Sequence, residues 1–379
     1  MLVRLHGEAK NYPWGSTNLI QDHFGVGEHG APLAEVWFGT HPAGESRETQ
    51  SNKKLSELIE GRLSFLAKFL AAGSPLSIQV HPNSEQAKEG FAREQALGLD
   101  LFDPKRNYRD ESNKPEILIA LSPFSALCGF RPRAELEDIF LAFSESEDRF
   151  GELTAKLATG AHLEEIFSEL LLDLELPARF GATVGKADLL GDESSLVLQA
   201  RDLALELLDK HPADSGAMVA LMLNRVELSP GEAIFLPAGN LHAYLSGLAL
   251  EVMGASDNVI RGGLTQKHID QVEIRKITDF SELLEPLVRP QKLAEGFFEY
   301  PVNADEFKVY RAELTGSNLL ADLDLPAGAI VVCTAGEVAV STSLEEREVL
   351  QKADVVYVSG AKKFSLSGSG TAFVVVGAA

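Results

Sequence analysis

Four polar residues sit in apolar settings where their types and spacing could hold a metal ion. Gln79 and His81 stand two apart in the run S-I-Q-V-H-P. In an extended strand, residues i and i+2 project to one face, so their side chains would point together. A polar pair on a solvated strand face has the same spacing. Glu116 follows Lys114-Pro115 and opens the run E-I-L-I-A-L, where a carboxylate can equally be an exposed strand start. His242 closes a stretch in which Gly231, Pro237 and Gly239 precede it at fixed spacing. The glycines allow tight turns and the proline fixes a strand end. A histidine delivered after such a turn, at the mouth of a β-barrel, is well placed to bind metal.

Oxygen and imidazole donors suit zinc, and iron or manganese would tolerate them too. Glu116 alone of the four is anionic. A divalent ion held by this set keeps a net positive charge and remains a good Lewis acid, whereas four thiolates would leave a negative, structural centre.

The elements that must position these residues are readable from texture. Residues 1 to about 125 hold short apolar runs (LAEVWFGTHPAG, SPLSIQVHPN, NKPEILIALSPFSALCGF) bounded by turn residues, the pattern of β-strands. Between them Ser84 to Ala96 reads as a helix with Ser84 as its N-cap. From Ala134 the period changes: Leu136, Ile139, Phe140 and Phe143 recur at helical spacing, and HLEEIFSELLLDLE and SLVLQARDLALELLD continue it. Residues 131–215 are therefore expected to form a helical insertion. The β texture returns at Val226, and after Arg289 a stretch rich in Val, Leu, Gly and Ser runs to Ala379. The expected units are 1–130 with 216–290, the insertion 131–215, and a C-terminal β unit, 291–379. A weak internal echo relates Gly231–His242 to Ala353–Phe364. Phe364 stands where His242 stands, so the second β unit would be a scaffold without a ligand at that position.

At 379 residues, 45% hydrophobic and 24% charged, the chain is an ordinary globular mixture too long for one core. It has no apolar run of about 20 residues and no apolar leader near its start, so no membrane span or secretory signal is expected. Two cysteines, Cys128 and Cys333, both in apolar runs, fit a reduced, cytoplasmic compartment. A net charge of −22 argues against nucleic acid as partner. It does not exclude a small anion, because screening confines each charge to about 8 Å at physiological salt.

The spacing around His242 resembles the second motif of the cupin superfamily. Within it, the chain resembles the type I mannose-6-phosphate isomerases. The matching stretches are N-Y-P-W-G-S (Asn11–Ser16), A-E-V-W-F-G-T-H-P (Ala34–Pro42), L-S-I-Q-V-H-P-N (Leu76–Asn83), N-K-P-E (Asn113–Glu116) and, longest, the run from Pro237 to Asp270. The resemblance implies a mainly β fold with a helical insertion: a cupin-type β-sandwich or jelly-roll catalytic domain, plus a ligand-free C-terminal jelly-roll-like domain. It implies one zinc ion per chain, with Gln79, His81, Glu116 and His242 as its ligands. Where the family usually has His-Lys-Pro-Glu this chain has Asn113, which cannot titrate, so no proton shuttle is expected there.

The implied reaction interconverts mannose 6-phosphate and fructose 6-phosphate through an enediol. That task needs a polarised carbonyl, a proton carrier and positive charge for the phosphate. Arg261, followed by Gly262 and Gly263, suits the phosphate or a developing enediolate, although an ion pair with Asp257 has the same spacing. Lys114, Glu251 and Asp257 are candidates for proton transfer, and the sequence does not choose among them. The resemblance places Trp14, Ser77 and Lys267 near the substrate and leaves His41 structural. The expected partner is a small sugar phosphate, with no nucleic acid or membrane, and the chain is expected to be a monomer or weak homo-oligomer. Two other classes share the ligand types: an iron-dependent cupin oxygenase, which would not use Gln79, and a non-catalytic sugar-phosphate-binding cupin.

Overall fold

The computed structural model describes residues 1–186, 194–321, 323, 325, 327–343, 345–360 and 364–378. Residues 187–193 of the expected helical stretch and Ala361–Lys363 of the internal echo lie outside them. The chain is mainly antiparallel β, in two sheets, with most of its described helices between Arg133 and Met222.

The first sheet runs Leu287–Val288, Ala233–Leu236, Glu116–Ala120, His242–Gly254, Phe65–Ala72, Glu35–His41, Glu8–Lys10. Its central strand, His242–Gly254, belongs to two layers. Its second half pairs with Phe65–Ala72 and Glu116–Ala120, while its first half pairs with Ile78–Val80 and Phe124–Phe130. The crossing falls at Gly247, whose φ of 121° disfavours a side chain and where an added β-carbon would lie 2.6 Å from the Pro123 carbonyl oxygen. The ladder of described strands has free ends, so the architecture is an open sandwich and not a closed barrel. His242 starts a strand between the two layers, where a barrel mouth was expected.

The second sheet is built mostly from C-terminal strands, but the first strand, Leu2–His6, pairs into it against Val355–Val358. Phe65, Phe69, Ile117 and Leu250 of the first sheet share a buried core with Tyr300, Val309, Ile330 and Phe373 of the second. The helices bury Leu136, Ile139, Phe140 and Phe143, as their spacing predicts, in a core that also takes Ile78, Val80, Leu241 and Ile260. Helical packing therefore bears directly on the strands that flank Gln79, His81, His242 and Arg261.

The helix Ser84–Ala96 has the expected span but a different cap. Asn83 accepts the Gln86 N–H and Gln86 closes a capping box back to Asn83, so Ser84 is the first helical residue. Within the internal echo the described strands Ala233–Leu236 and Val355–Val358 occupy corresponding positions. Phe364 is buried in an apolar cluster.

Candidate active site

The site lies where the central strand meets its two layers. His242 opens that strand, and its backbone partner across the ladder is Gln79. Gln79 is also paired on its other side with Arg261. Glu116 opens the neighbouring strand opposite Met253. Ligand atoms of His81, Glu116 and His242 all fall within 4.8 Å of one another, and all three residues are buried. Gln79, Glu116 and Arg261 line one cavity of about 680 Å³.

The three side chains are oriented for a cation. His81 Nδ1 lies 2.7 Å from the Asn258 carbonyl, and His242 Nδ1 lies 2.9 Å from the Asn240 carbonyl. A carbonyl only accepts, so each ring carries its proton on Nδ1 and turns a bare Nε2 lone pair inward. Those Nε2 atoms are buried and have no hydrogen-bond partner. They face the two Glu116 oxygens at 3.3 and 3.4 Å. Two lone pairs aimed at a carboxylate repel one another unless a positive ion sits among them. Burial, with Lys114 adding, pushes the His81 imidazole down to about 4, so the ring is neutral at physiological pH. Burial alone would raise the Glu116 carboxyl, but Lys114 and His81 outweigh it and hold Glu116 well below the usual carboxylate range. The residues fit a divalent metal on donor chemistry.

Beyond these ligands runs a buried polar chain that sequence reasoning caught only in part. The Tyr244 hydroxyl donates to Glu251 at 2.8 Å, and its oxygen also lies 3.2 Å from Glu116. Lys68 Nζ joins Glu251 at 2.6 Å and Glu35 at 3.0 Å, and Trp37 Nε1 donates to Glu35 at 2.9 Å. Burial opposes charge on Lys68, but Glu251 and Glu35 overcome it and raise its pKa. Burial raises the Glu251 carboxyl against the pull of Lys68. Two signals were available. Tyr244 is two residues after His242 on a strand, hence on the same face, and Lys68 is the one charged residue of FLAKFLAA, a strand buried throughout.

The other expected residues gather around the same cavity. Lys114 Nζ lies 2.7 Å from Glu116 Oε1. Trp14, Ser77, Glu251, Asp257 and Lys267 line the cavity, and Trp14 stacks on Tyr12 with ring centroids 5.7 Å apart. Asp257 faces His41 Nε2 at 3.7 Å and makes no ion pair with Arg261 among the described residues. His41 is buried, accepts the Ala43 N–H, and walls both this cavity and an adjoining one of about 610 Å³. Asn113 lines only the adjoining cavity.

At one end of the cavity the balance of charge reverses. Burial lowers the Arg261 guanidinium pKa, and nearby Arg109 lowers it further. Partial burial, Arg261 and Arg109 likewise lower Lys267 at the rim. No ion pair joins these three side chains to a carboxylate among the described residues. Three neighbouring cations left unpaired in a chain of charge −22 mark a place for an anion. Arg109, which the sequence reading did not single out, is fixed through its backbone N–H, donated to Asn258 Oδ1 at 2.7 Å.

Comparison with known proteins places this arrangement. A family model for phosphomannose isomerase type I, catalytic domain, matches residues 2–133. The chain is 32% identical over 403 aligned residues to mannose-6-phosphate isomerase of Salmonella typhimurium, covering 98% of this chain and 97% of that protein. It is 30% identical to the human mannose-6-phosphate isomerase, covering 88% and 86% of the two. Its fold is similar to a crystal structure of mannose 6-phosphate isomerase bound with zinc and yttrium, with a TM-score of 0.87 and 30% identity over the whole of both chains. The same likeness over whole chains extends to a zinc-bound holo structure of mannose 6-phosphate isomerase, with a TM-score of 0.86. With a buried three-ligand metal site at its centre and relatives aligned along almost its entire length, the chain belongs to the type I mannose-6-phosphate isomerase family and is an isomerase.

Proposed function

We propose that the chain interconverts mannose 6-phosphate and fructose 6-phosphate through an enediol, using one zinc ion held by Gln79, His81, Glu116 and His242. The observation that carries the reading is the pair of buried, unpartnered imidazole Nε2 atoms facing one carboxylate. Bound there, a divalent ion supplies Lewis-acid polarisation of the sugar's carbonyl.

The protein's own groups supply the rest. Arg261, Arg109 and Lys267 receive the phosphate, which carries about −1.5 to −2 charge near neutral pH. In the forward direction a base takes the C2 proton of the open-chain aldose, and the proton returns to C1 of the enediol. Glu251 is a poor base because both its oxygens are engaged, by Tyr244 and Lys68. We assign it to positioning Tyr244 and, through it, Glu116. Asp257 keeps much of its carboxylate open to the cavity and Lys114 Nζ stands 2.7 Å from Glu116, so we assign proton movement to these two groups. Trp14 and Ser77 wall the sugar.

We further propose that 1–130 with 216–290 form the catalytic unit, 131–215 the helical insertion and 291–379 a scaffold, with Leu2–His6 tying the first unit to the last. Among the described residues no helix is long and apolar enough to cross a membrane. Cys128 and Cys333 are buried and unpaired, which supports a reducing cytoplasmic setting. The test is a coupled assay of fructose 6-phosphate formation with and without chelator. Activity that the chelator removes and zinc restores is expected; full turnover in metal-free protein would refute the reading.

A further inference from the structure

The helical layer bears on the cavity through the loop Leu264–Lys267. Asp214 lies between the helix Ser195–Lys210 and the short helix Gly216–Val219. Its Oδ1 accepts the Gly216 N–H at 2.8 Å, and its Oδ2 accepts the Thr265 N–H at 2.9 Å. Thr265 Oγ1 in turn accepts the Lys267 N–H at 3.1 Å. One carboxylate thus joins a helix start to the loop that carries a cation of the anion-binding end. Asp214 makes no ion pair among the described residues, so it leaves Lys267 its charge.

The loop would not hold this shape alone. Leu264 has φ of 54°, a conformation unfavourable for a residue with a β-carbon. It is kept there by burial in the helical core, at 2% exposure. Next to it the backbones of Gly216 and Gly263 touch: a β-carbon on Gly263 would lie 2.3 Å from the Gly216 α-carbon. Strain in the loop, close backbone contact and a charged tether all come from the helical side. His211, at the end of Ser195–Lys210, adds its side chain to the same cavity wall.

We propose that the helical layer sets the anion-binding end of the active cavity, with Asp214 as the positioning residue for Lys267. The inference rests on the reading of Lys267 as a phosphate-binding group. In Asp214→Asn one oxygen remains for Gly216, but the new amide cannot accept the Thr265 N–H. Loss of one such bond should raise KM for mannose 6-phosphate about three- to tenfold, with kcat within twofold and metal content unchanged. A variant that only destabilised the fold would lower the active fraction, hence kcat, and leave KM alone.

The decisive measurement is a double-mutant cycle with Lys267→Gln in the metal-loaded full chain. Lys267→Gln raises KM, and adding Asp214→Asn to it raises KM no further, because the tether then holds nothing that binds. Thr265→Val, which removes the hydroxyl that receives the Lys267 N–H, repeats the cycle and replaces it if Asp214→Asn does not fold. If Lys267→Gln raises KM while neither partner variant does, or if the effects simply add, the positioning role is wrong and the site reading stands. If Lys267→Gln itself leaves KM unchanged, the anion reading of Lys267 fails and this inference fails with it.

Discussion

Lys68→Met would show how much the buried polar chain behind the metal ligands depends on a single cation. Lys68 lies 2.6 Å from Glu251 and 3.0 Å from Glu35, with all three side chains buried. Removing the ammonium leaves the Glu251 and Glu35 carboxyls buried without the cation they share. Breaking a buried pair in this way costs about 3–5 kcal/mol, whereas a surface pair would cost below about 1 kcal/mol. Methionine keeps most of the volume, so little of that cost is cavity formation. With a urea m-value of about 3 kcal/mol per molar, the unfolding midpoint should fall by roughly 1–1.7 M. Adding Glu251→Gln removes one stranded charge, and the double variant should recover at least half the loss. A single variant within about 1 kcal/mol of the parent, or a double variant less stable than the single, would refute the reasoning. The first outcome would mean that the cavity solvates the carboxylates; the second, that Glu251 is already neutral beside Lys68.

His242→Ala and Gln79→Ala should each lose bound zinc and isomerase activity together, checked by metal analysis beside the coupled assay. Arg261→Ala should keep its zinc and lose turnover severely, and a near-parental rate would remove it from the reacting centre. Arg109→Gln should raise KM about tenfold or more, as expected for a charge-assisted contact, and weaken competitive inhibition by inorganic phosphate; unchanged constants would count Arg109 out. Alkaline pH gives a prediction for the scaffold. Burial pushes the Tyr300 and Tyr310 phenols up to about 12, against about 10 in the unfolded chain. A raised folded pKa means that this contribution to stability is complete below about pH 10 and lost as pH rises toward 12. Tyrosinate absorbance should therefore climb together with the loss of circular dichroism, and full ionisation in a still-folded protein would contradict it.

Much of the site was legible because its residues break the pattern around them. Gln79 and His81 interrupt an apolar strand, and His242 follows a turn that needs Gly239, where φ is 83°. Helical periodicity located the Arg133–Ser144 core face residue by residue. What the sequence hid is what only tertiary pairing creates. Asn258 supplies the carbonyl that orients His81 and the side chain that anchors Arg109, contacts spanning |i−j| of 177 and 149. No local period reports such a link. Tyr244 and Lys68 were within reach of strand alternation but carry no signal of their own, because a buried tyrosine or a lysine in an apolar strand has meaning only once its partners are known. The cap of Ser84–Ala96 was misplaced by one residue for a simpler reason: Asn83 and Ser84 both cap well, and the Gln86 side chain decides between them.

The internal echo sets His242 against Phe364, and the two residues meet different surroundings. Both β units hold a short strand at the same point of the repeat, Ala233–Leu236 and Val355–Val358, and residues 242 and 364 both lie on long strands. At 242 the delivered ring meets Glu116 at 3.4 Å and a carbonyl at 2.9 Å. At 364 it meets Leu366, Val340 and other apolar side chains of a closed cluster. A histidine placed there would find neither an orienting acceptor nor a carboxylate, and Phe364→His would bury an unpaired imidazole at a cost of about 1–3 kcal/mol without creating a metal site. The cluster of His81, Glu116 and His242 thus depends on three strands converging, and the turn motif supplies only one of the three directions. Phe364 packs instead in the apolar cluster of the second sheet, while other strands of that sheet share a core with Phe65 and Phe69, on the strand that also carries Lys68.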